Sequence, residues 1–202
     1  KVGKTSGIIP FIVVQDSLTR AIDQGSQRRG AAAVYLNIWH PEIEEFIEVR
    51  KPTGGDPKRK ALVDAVEIPA TGDAAEDAYT YGFRLWTAKL YPEAQVKLKE
   101  FSAKYPKHKR ASFAQNLLGR AYLDEGKPAL ASVAFYDNYT KNPKGERASE
   151  SLYYLGVALT RLKKLPDACK VFDEFKDVYG ASAAADLKAR VAKARTDASC
   201  SA

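Results

Sequence analysis

Two adjacent arginines stand in a polar stretch near the start of the chain, in the string "DQGSQRRGAAAVYL" at residues 23–36. Arg28 and Arg29 are flanked by glycines, a serine and glutamines, and an apolar run follows them. An arginine side chain presents a planar fork of donors that suits phosphate groups and base edges. Glycine allows a loop to change shape. The stretch therefore predicts a loop that contacts an anionic ligand.

The other residues with reactive side chains form no catalytic or metal-binding pattern. His40 and His108 have no other ligating residue near them in the sequence, so we predict no metal, no cofactor and no catalytic residue. Cys169 and Cys200 are the two cysteines of the chain. They either pair in a disulfide that holds the C-terminal tail, which would contribute roughly 3–4 kcal/mol, or remain as two unpaired thiols.

Composition limits the classes of partner. The net charge of +7 is divided into +3 on residues 1–62 and +4 on the remainder. Because neither half carries a basic stripe, we expect no nucleic-acid partner. No apolar run approaches the roughly 20 residues that a membrane-spanning helix needs. The sequence thus predicts a partner other than nucleic acid or the bilayer interior.

The first 62 residues predict a small α/β fragment. Apolar residues at helical spacing follow Pro10, the basic loop comes next, and residues 31–39 form a continuous apolar run typical of a buried strand. A short helix follows Pro41, and the turn-rich string "PTGGDPKRK" ends the segment. We place the domain boundary at residue 62 and a linker at residues 63–73.

The remaining residues, 74–202, contain a repeat of 37 residues. Gly82, Gly119 and Gly156 share one register, and an alanine and a large apolar residue follow each glycine after 12 and 16 positions. This spacing predicts three antiparallel helical hairpins, with the small residues allowing close approach of the paired helices. An amphipathic capping helix follows. The fold class predicted for the whole chain is therefore mainly α, preceded by the α/β fragment.

The first helix of each hairpin also predicts a binding face. Side chains three positions before, one after and five after each glycine should lie on one side of the stack, where they would form a groove for an extended or helical peptide. The residues assigned to this peptide groove are Tyr79, Phe83, Asn116, Arg120, Asp124 and Tyr153.

The string that begins "SGIIPFIVVQDSLTRAIDQGSQRRG" and ends near residue 62 resembles the large, catalytic subunit of ribonucleotide reductase. The resemblance implies a cytoplasmic enzyme of deoxyribonucleotide synthesis. It implies that residues 23–31 form the loop between the nucleotide effector site and the substrate site, with Gln24, Arg28 and Gly30 transmitting the signal. That family also requires a radical-bearing cysteine and a redox-active cysteine pair. Residues 1–62 hold no cysteine, so we expect no reductase activity from this chain alone.

The hairpin register resembles the tetratricopeptide repeat. The string "EDAYTYGFRLWTAKLYPEAQVKLKEFSAKYPKHKRASFAQNLLGRAYLDEGKP" resembles, in addition, the C-terminal repeat domain of the Tol–Pal-associated cell-division coordinator. This implies a non-catalytic periplasmic adaptor that binds cell-envelope division proteins and coordinates outer-membrane constriction with peptidoglycan synthesis. We take the adaptor as the main functional prediction. The alternative is a reductase large-subunit fragment that binds nucleotide through its loop. Joining a cytoplasmic piece to a periplasmic one near residues 60–64 would make the chain a chimera.

Overall fold

The computed structural model describes residues 57–200, which form eight α-helices and no strand. The chain divides into two compact units, residues Lys1–Ala65 and Val66–Ala202. The prediction of a mainly helical chain is confirmed over the described range. The α/β fragment and the loop with Gln24, Arg28 and Gly30 lie outside this range. None of the helices in residues 57–200 is both long and apolar enough to cross a membrane.

Helix α1 spans Pro57–Asp64 and is the part of the first unit that the structure describes. The sequence predicted a turn-rich exit over residues 52–60, so the second half of that prediction is corrected. Proline is well suited to the first position of a helix, where its missing N–H has no partner in any case. The lysines, arginine, alanine and leucine that follow Pro57 are all good helix formers.

Six helices in the second unit form the three hairpins. In the first hairpin α2 spans Ala74–Thr87 and α3 spans Tyr91–Lys104. The second and third hairpins comprise α4 (Ala111–Asp124), α5 (Pro128–Lys141), α6 (Ala148–Arg161) and α7 (Leu165–Tyr179). The capping helix α8 spans Ala185–Asp197. Helix α4 contacts α2 and α6, and α6 contacts α8, so the first helices of the hairpins and the cap lie in one row.

Local sequence signals set the helix starts. The carboxylate of Asp73 accepts hydrogen bonds from the backbone N–H groups of Ala75 and Glu76, at 3.0 and 3.1 Å, and so caps α2. Helices α3, α5 and α7 each carry a proline in the first two positions. Each hairpin therefore begins its second helix with the same residue type.

The glycines of the repeat allow the two helices of each hairpin to touch. A Cβ at position 82 would lie 2.9 Å from Leu98 Cδ2, and one at position 119 or 156 would overlap a phenylalanine ring. The three partners, all fully buried, are Leu98, Phe135 and Phe172. The large apolar residues thus pack directly against the glycines and form the core of each hairpin.

A buried polar network joins the second hairpin to the third. Ser151 Oγ accepts hydrogen bonds from Asn116 Nδ2 at 2.9 Å and from Asn138 Nδ2 at 2.8 Å. Asn138 Nδ2 also lies 2.9 Å from the carbonyl oxygen of Ser112. Asn138 and Ser151 are fully buried, so these bonds replace the water that the side chains lose on folding.

Candidate functional site

The row of first helices presents aromatic rings interleaved with arginines. The guanidinium of Arg120 lies over the ring of Trp86, 4.5 Å from its centroid, and 5.5 Å from the ring of Tyr154. Trp86 Nε1 donates to Asp124 Oδ2 over 2.9 Å, and this bond links the first hairpin to the second. Cation–π contacts of this kind hold an arginine in place while leaving its charge available. We call Trp86, Arg120, Asp124 and Tyr154 the central cluster.

The structure places two of the predicted groove residues, Arg120 and Asp124, in the central cluster. Phe83 is 43% exposed and its ring lies 5.9 Å from that of Trp86, beside the same cluster. Tyr79 lies one turn nearer the start of α2, and the guanidinium of Arg110 is 5.1 Å from the centroid of its ring. The assignment of this face to a peptide ligand stays a prediction.

Asn116 and Tyr153 lie apart from the central cluster. Asn116 is 3% exposed, and its amide donates to Ser151 within the core. Its helix position is the one expected, but packing of the neighbouring hairpin covers it. Tyr153 is half-buried, and its ring lies under the guanidinium of Arg190, 4.5 Å from the ring centroid.

The sequence analysis did not identify several residues of this face. Trp86 and Tyr154 stand four positions after and two positions before a repeat glycine, offsets that the register did not use. Arg190 lies on the capping helix, which starts at Ala185, 37 residues after the start of α6, so Arg190 continues the spacing of Asn116 and Tyr153. The register was followed only as far as Gly156, because Lys193 stands where a fourth glycine would be. Helix spacing of three and four residues would have identified Trp86, because it lies one turn after Phe83, a predicted groove residue.

Charged groups also gather where α2 begins. Ligand atoms of Asp73, Glu76 and His108 all lie within 4.8 Å of one another. Glu76 Oε1 accepts from Arg110 Nε at 2.7 Å, and Lys109 Nζ lies 3.6 Å from Glu76 Oε2. The hydrogen bond from Arg110 lowers the pKa of Glu76 below its usual value.

His108 is poorly disposed to hold a metal in this cluster. Its Nδ1 accepts the backbone N–H of Arg110 over 3.2 Å, so the proton of the neutral ring lies on Nε2, the nitrogen left for a metal. A metal-binding histidine normally donates through its second nitrogen instead. With Arg110 and Lys109 against Glu76 as well, the cluster is best interpreted as an ion-pair network between the first and second hairpins.

The two cysteines are joined in a disulfide. Cys169, near the start of α7, and Cys200, just after α8, are bonded with a Cα–Cα distance of 5.5 Å. The bond ties the tail to the third hairpin. Together with burial of Leu187 and Val191 of α8, it holds the capping helix against the stack.

Comparison with known proteins places the chain in a family. The model of the family described as "Ribonucleotide reductase, barrel domain" matches residues 1–150. The match extends well beyond residue 62, where the resemblance seen in the sequence was expected to end. It includes the loop of residues 23–31 and the first two hairpins.

Curated relatives point to the same family. A ribonucleoside-diphosphate reductase subunit alpha of Chlamydia muridarum is 49% identical over 57 residues, which are 28% of this chain and 5% of the relative. The corresponding large chain of Encephalitozoon cuniculi is 36% identical over 101 residues, or 50% of this chain and 11% of the relative. That of Cryptosporidium parvum is 42% identical over 69 residues, or 33% and 9%. The chain thus spans about a tenth or less of the length of these relatives.

These matches correct the main functional prediction. The interpretation as a non-catalytic adaptor of the Tol–Pal system is wrong, because the reductase match covers the first two hairpins that were assigned to that adaptor. The periplasmic location rested on the same resemblance and has no support. The resemblance to ribonucleotide reductase, given as the alternative, is the one that the family match bears out. The chain belongs to the ribonucleotide reductase barrel-domain family.

Proposed function

We propose that this chain is part of the large subunit of a ribonucleoside-diphosphate reductase and that its own contribution is recognition of a nucleotide by the loop of residues 23–31. The observation that supports this most directly is the family match over residues 1–150, which includes the whole loop. The relatives that share this match are named for the reduction of ribonucleoside diphosphates.

The residue types of the loop suit this ligand. Arg28 can donate two parallel hydrogen bonds to a phosphate or to a base edge. The amide of Gln24 can donate and accept, which is what distinguishing one base from another requires. Gly30 permits backbone conformations that other residues rarely adopt, so the loop can change shape when the bound nucleotide changes.

The proposal covers nucleotide recognition and does not extend to the reduction itself. By the family resemblance, reduction depends on cysteine thiols. The two cysteines of this chain are bonded to each other. Both also lie beyond residue 150, outside the matched segment.

The experiment is to titrate the full chain with a ribonucleoside diphosphate and to measure binding by isothermal calorimetry. Arg28→Ala should weaken binding by roughly tenfold or more, since a hydrogen bond to a charged group contributes about 1.5–3 kcal/mol. Arg29→Ala is the matched control, because it removes the same charge one position away and should change Kd by less than a factor of three. Equal losses in the two variants would mean that only net charge matters, and absence of binding by the unmodified chain would refute the proposal.

A further inference from the structure

A cavity of 390 Å³ lies between the last helix of the row, α8, and its neighbour α6. One wall is a single face of α6 and includes Tyr153, Val157 and Arg161. The opposite wall is a single face of α8 and includes Arg190 and Lys193. Sites for small ligands usually measure about 300–1,000 Å³, so the cavity is large enough for one.

The cavity is positively charged. Three cationic side chains, Arg161, Arg190 and Lys193, line it together with a single acidic one, Asp197. The local charge of the lining is therefore positive, although the chain as a whole is only mildly basic. Arg190 is half-buried, whereas Arg161 and Lys193 are exposed, so an anion in the cavity would contact one partly desolvated cation and two solvent-exposed ones.

Contacts with other residues hold the two arginines in position, but none of these contacts is a close ion pair that would neutralise the arginine charge. Arg161 Nη1 donates to the carbonyl oxygen of Leu123 over 2.9 Å. Arg190 stacks on Tyr153, and its nearest carboxylate oxygen, on Glu150, is 3.9 Å away, too far for a hydrogen bond. The ion pairs found within residues 57–200 include neither Arg161 nor Lys193.

The rest of the lining is largely apolar. Val157 and Ala194 lie on opposite walls, and the ring of Tyr153 adds an aromatic surface. A free inorganic anion would leave this surface without a partner. An organic group attached to the anion would cover it and gain the free energy of removing apolar area from water.

We propose that the cavity between α6 and α8 binds a phosphate monoester. Its phosphoryl oxygens would accept hydrogen bonds from Arg161, Arg190 and Lys193, and its organic group would pack against Val157 and Ala194. Arginine is the side chain best suited to a phosphate because its fork donates two parallel bonds. The proposed site shares no residue with the loop of residues 23–31, so the proposal does not depend on the proposed function.

The test is to titrate the full chain with three probes and to monitor binding through NMR chemical shifts. The probes are phenyl phosphate, inorganic phosphate and phenol. We expect phenyl phosphate to bind more tightly than either of the others, because only it uses both the cations and the apolar walls. Added salt should weaken its binding. Arg28→Ala should leave its Kd unchanged, because Arg28 is not among the residues that line the cavity, and this result would distinguish the cavity from the nucleotide loop.

Three substitutions on α8 assign the binding to the cavity. Lys193→Ala should weaken phenyl phosphate binding roughly two- to fivefold, the range for a solvent-exposed charge. Asp197→Asn should tighten it by a similar factor, because it removes the one acid of the lining, and a misfolded variant could not produce this gain. Lys188→Ala is the matched control, since Lys188 lies on the same helix but does not line the cavity.

Several results would overturn the proposal. Equal effects of Lys193→Ala and Lys188→Ala would show that binding follows net charge alone. Inorganic phosphate binding as tightly as phenyl phosphate would exclude a role for the organic group, and phenol binding as tightly would exclude a role for the cations. Weaker or unchanged binding in Asp197→Asn would place the ligand elsewhere.

Discussion

The ring of Phe172 occupies the space that a side chain at Gly156 would need. Phe172 lies on α7, is fully buried, and packs against the bare backbone of α6. The close approach of these two residues sets the spacing of the helices in the third hairpin. The first hairpin achieves the same contact with a smaller partner, Leu98, against Gly82.

Gly156→Ala should therefore destabilise the chain by overpacking, by about 1–3 kcal/mol. Urea unfolding followed by circular dichroism would measure the loss. Phe172→Leu should recover part of it when the two changes are combined, because leucine is the residue found at this contact in the first hairpin. Strict additivity of the two single effects would show that the residues do not compete for space.

Lys163 supports a second prediction, since it adopts a left-handed backbone with a φ of 62° in the turn of the third hairpin. Gly126 stands at the equivalent position of the second hairpin with a φ of 82°. Lys163→Gly should raise the free energy of unfolding by roughly 0.5–1 kcal/mol, as relief of left-handed strain exceeds the entropy that glycine adds to the unfolded chain. Lys170→Gly, at an exposed position inside α7, should lower it by about 1 kcal/mol. Urea unfolding measures the free energy of unfolding of both variants. A lower value for Lys163→Gly than for the unmodified chain would contradict strain at Lys163.

Ser151 supports a third prediction because it accepts two hydrogen bonds in the core. Ser151→Ala would leave the amides of Asn116 and Asn138 short of an acceptor, at a cost of about 1–3 kcal/mol. Ser132→Ala is the control, since its hydroxyl bonds only to the carbonyl of Ala129 at an exposed site and its loss should change little. Similar Tm values for the two variants would show that the buried network contributes no stability.

The disulfide predicts a stability that depends on redox conditions. Cys200→Ser should lower the free energy of unfolding by roughly 3–4 kcal/mol, the value for a loop of this size. Hydrogen exchange should show the greatest loss of protection in α8, which the bond holds in place. A reducing agent should destabilise the unmodified chain and leave Cys200→Ser unaffected, and an equal effect on both would refute the assignment.

The hydroxyl of Tyr139 donates to Glu174 over 2.6 Å and links the second hairpin to the third. This hydrogen bond, with burial and the charge of Glu174, raises the pKa of Tyr139 from 10.0 to about 12. Because the folded state favours the protonated phenol, the stabilisation is complete below pH 10 and is lost as the pH rises towards 12.

Absorbance at 295 nm should therefore show a late step near pH 12 from Tyr139. Burial raises the pKa of Tyr79 and of Tyr179 as well, so the substitutions are needed to assign the step. Tyr139→Phe should remove this late step, and Glu174→Gln should shift it towards pH 10, because the amide can accept the hydrogen bond but carries no charge. A late step that persists in Tyr139→Phe would belong to another residue.

The sequence predicted the fold better than it predicted the binding face. The 37-residue register predicted the hairpins because helix geometry needs a small residue at each close contact, and such residues leave a periodic trace. The wrong functional prediction came from a further resemblance, that of the string at residues 76–128 to a periplasmic adaptor. Periodicity reports how helices pack, and many unrelated proteins pack helices in the same way.

The sequence alone was enough to establish the helical hairpins and the resemblance of the first 62 residues to ribonucleotide reductase. These depend on neighbouring residues along the chain. The meeting of Arg190 with Tyr153, the burial of Asn116 and the charged cavity beside α8 emerged only from the folded chain. They join residues about 35 positions apart through the packing of separate helices. The repeat spacing indicates which helix positions correspond, but not which side chains make contact there.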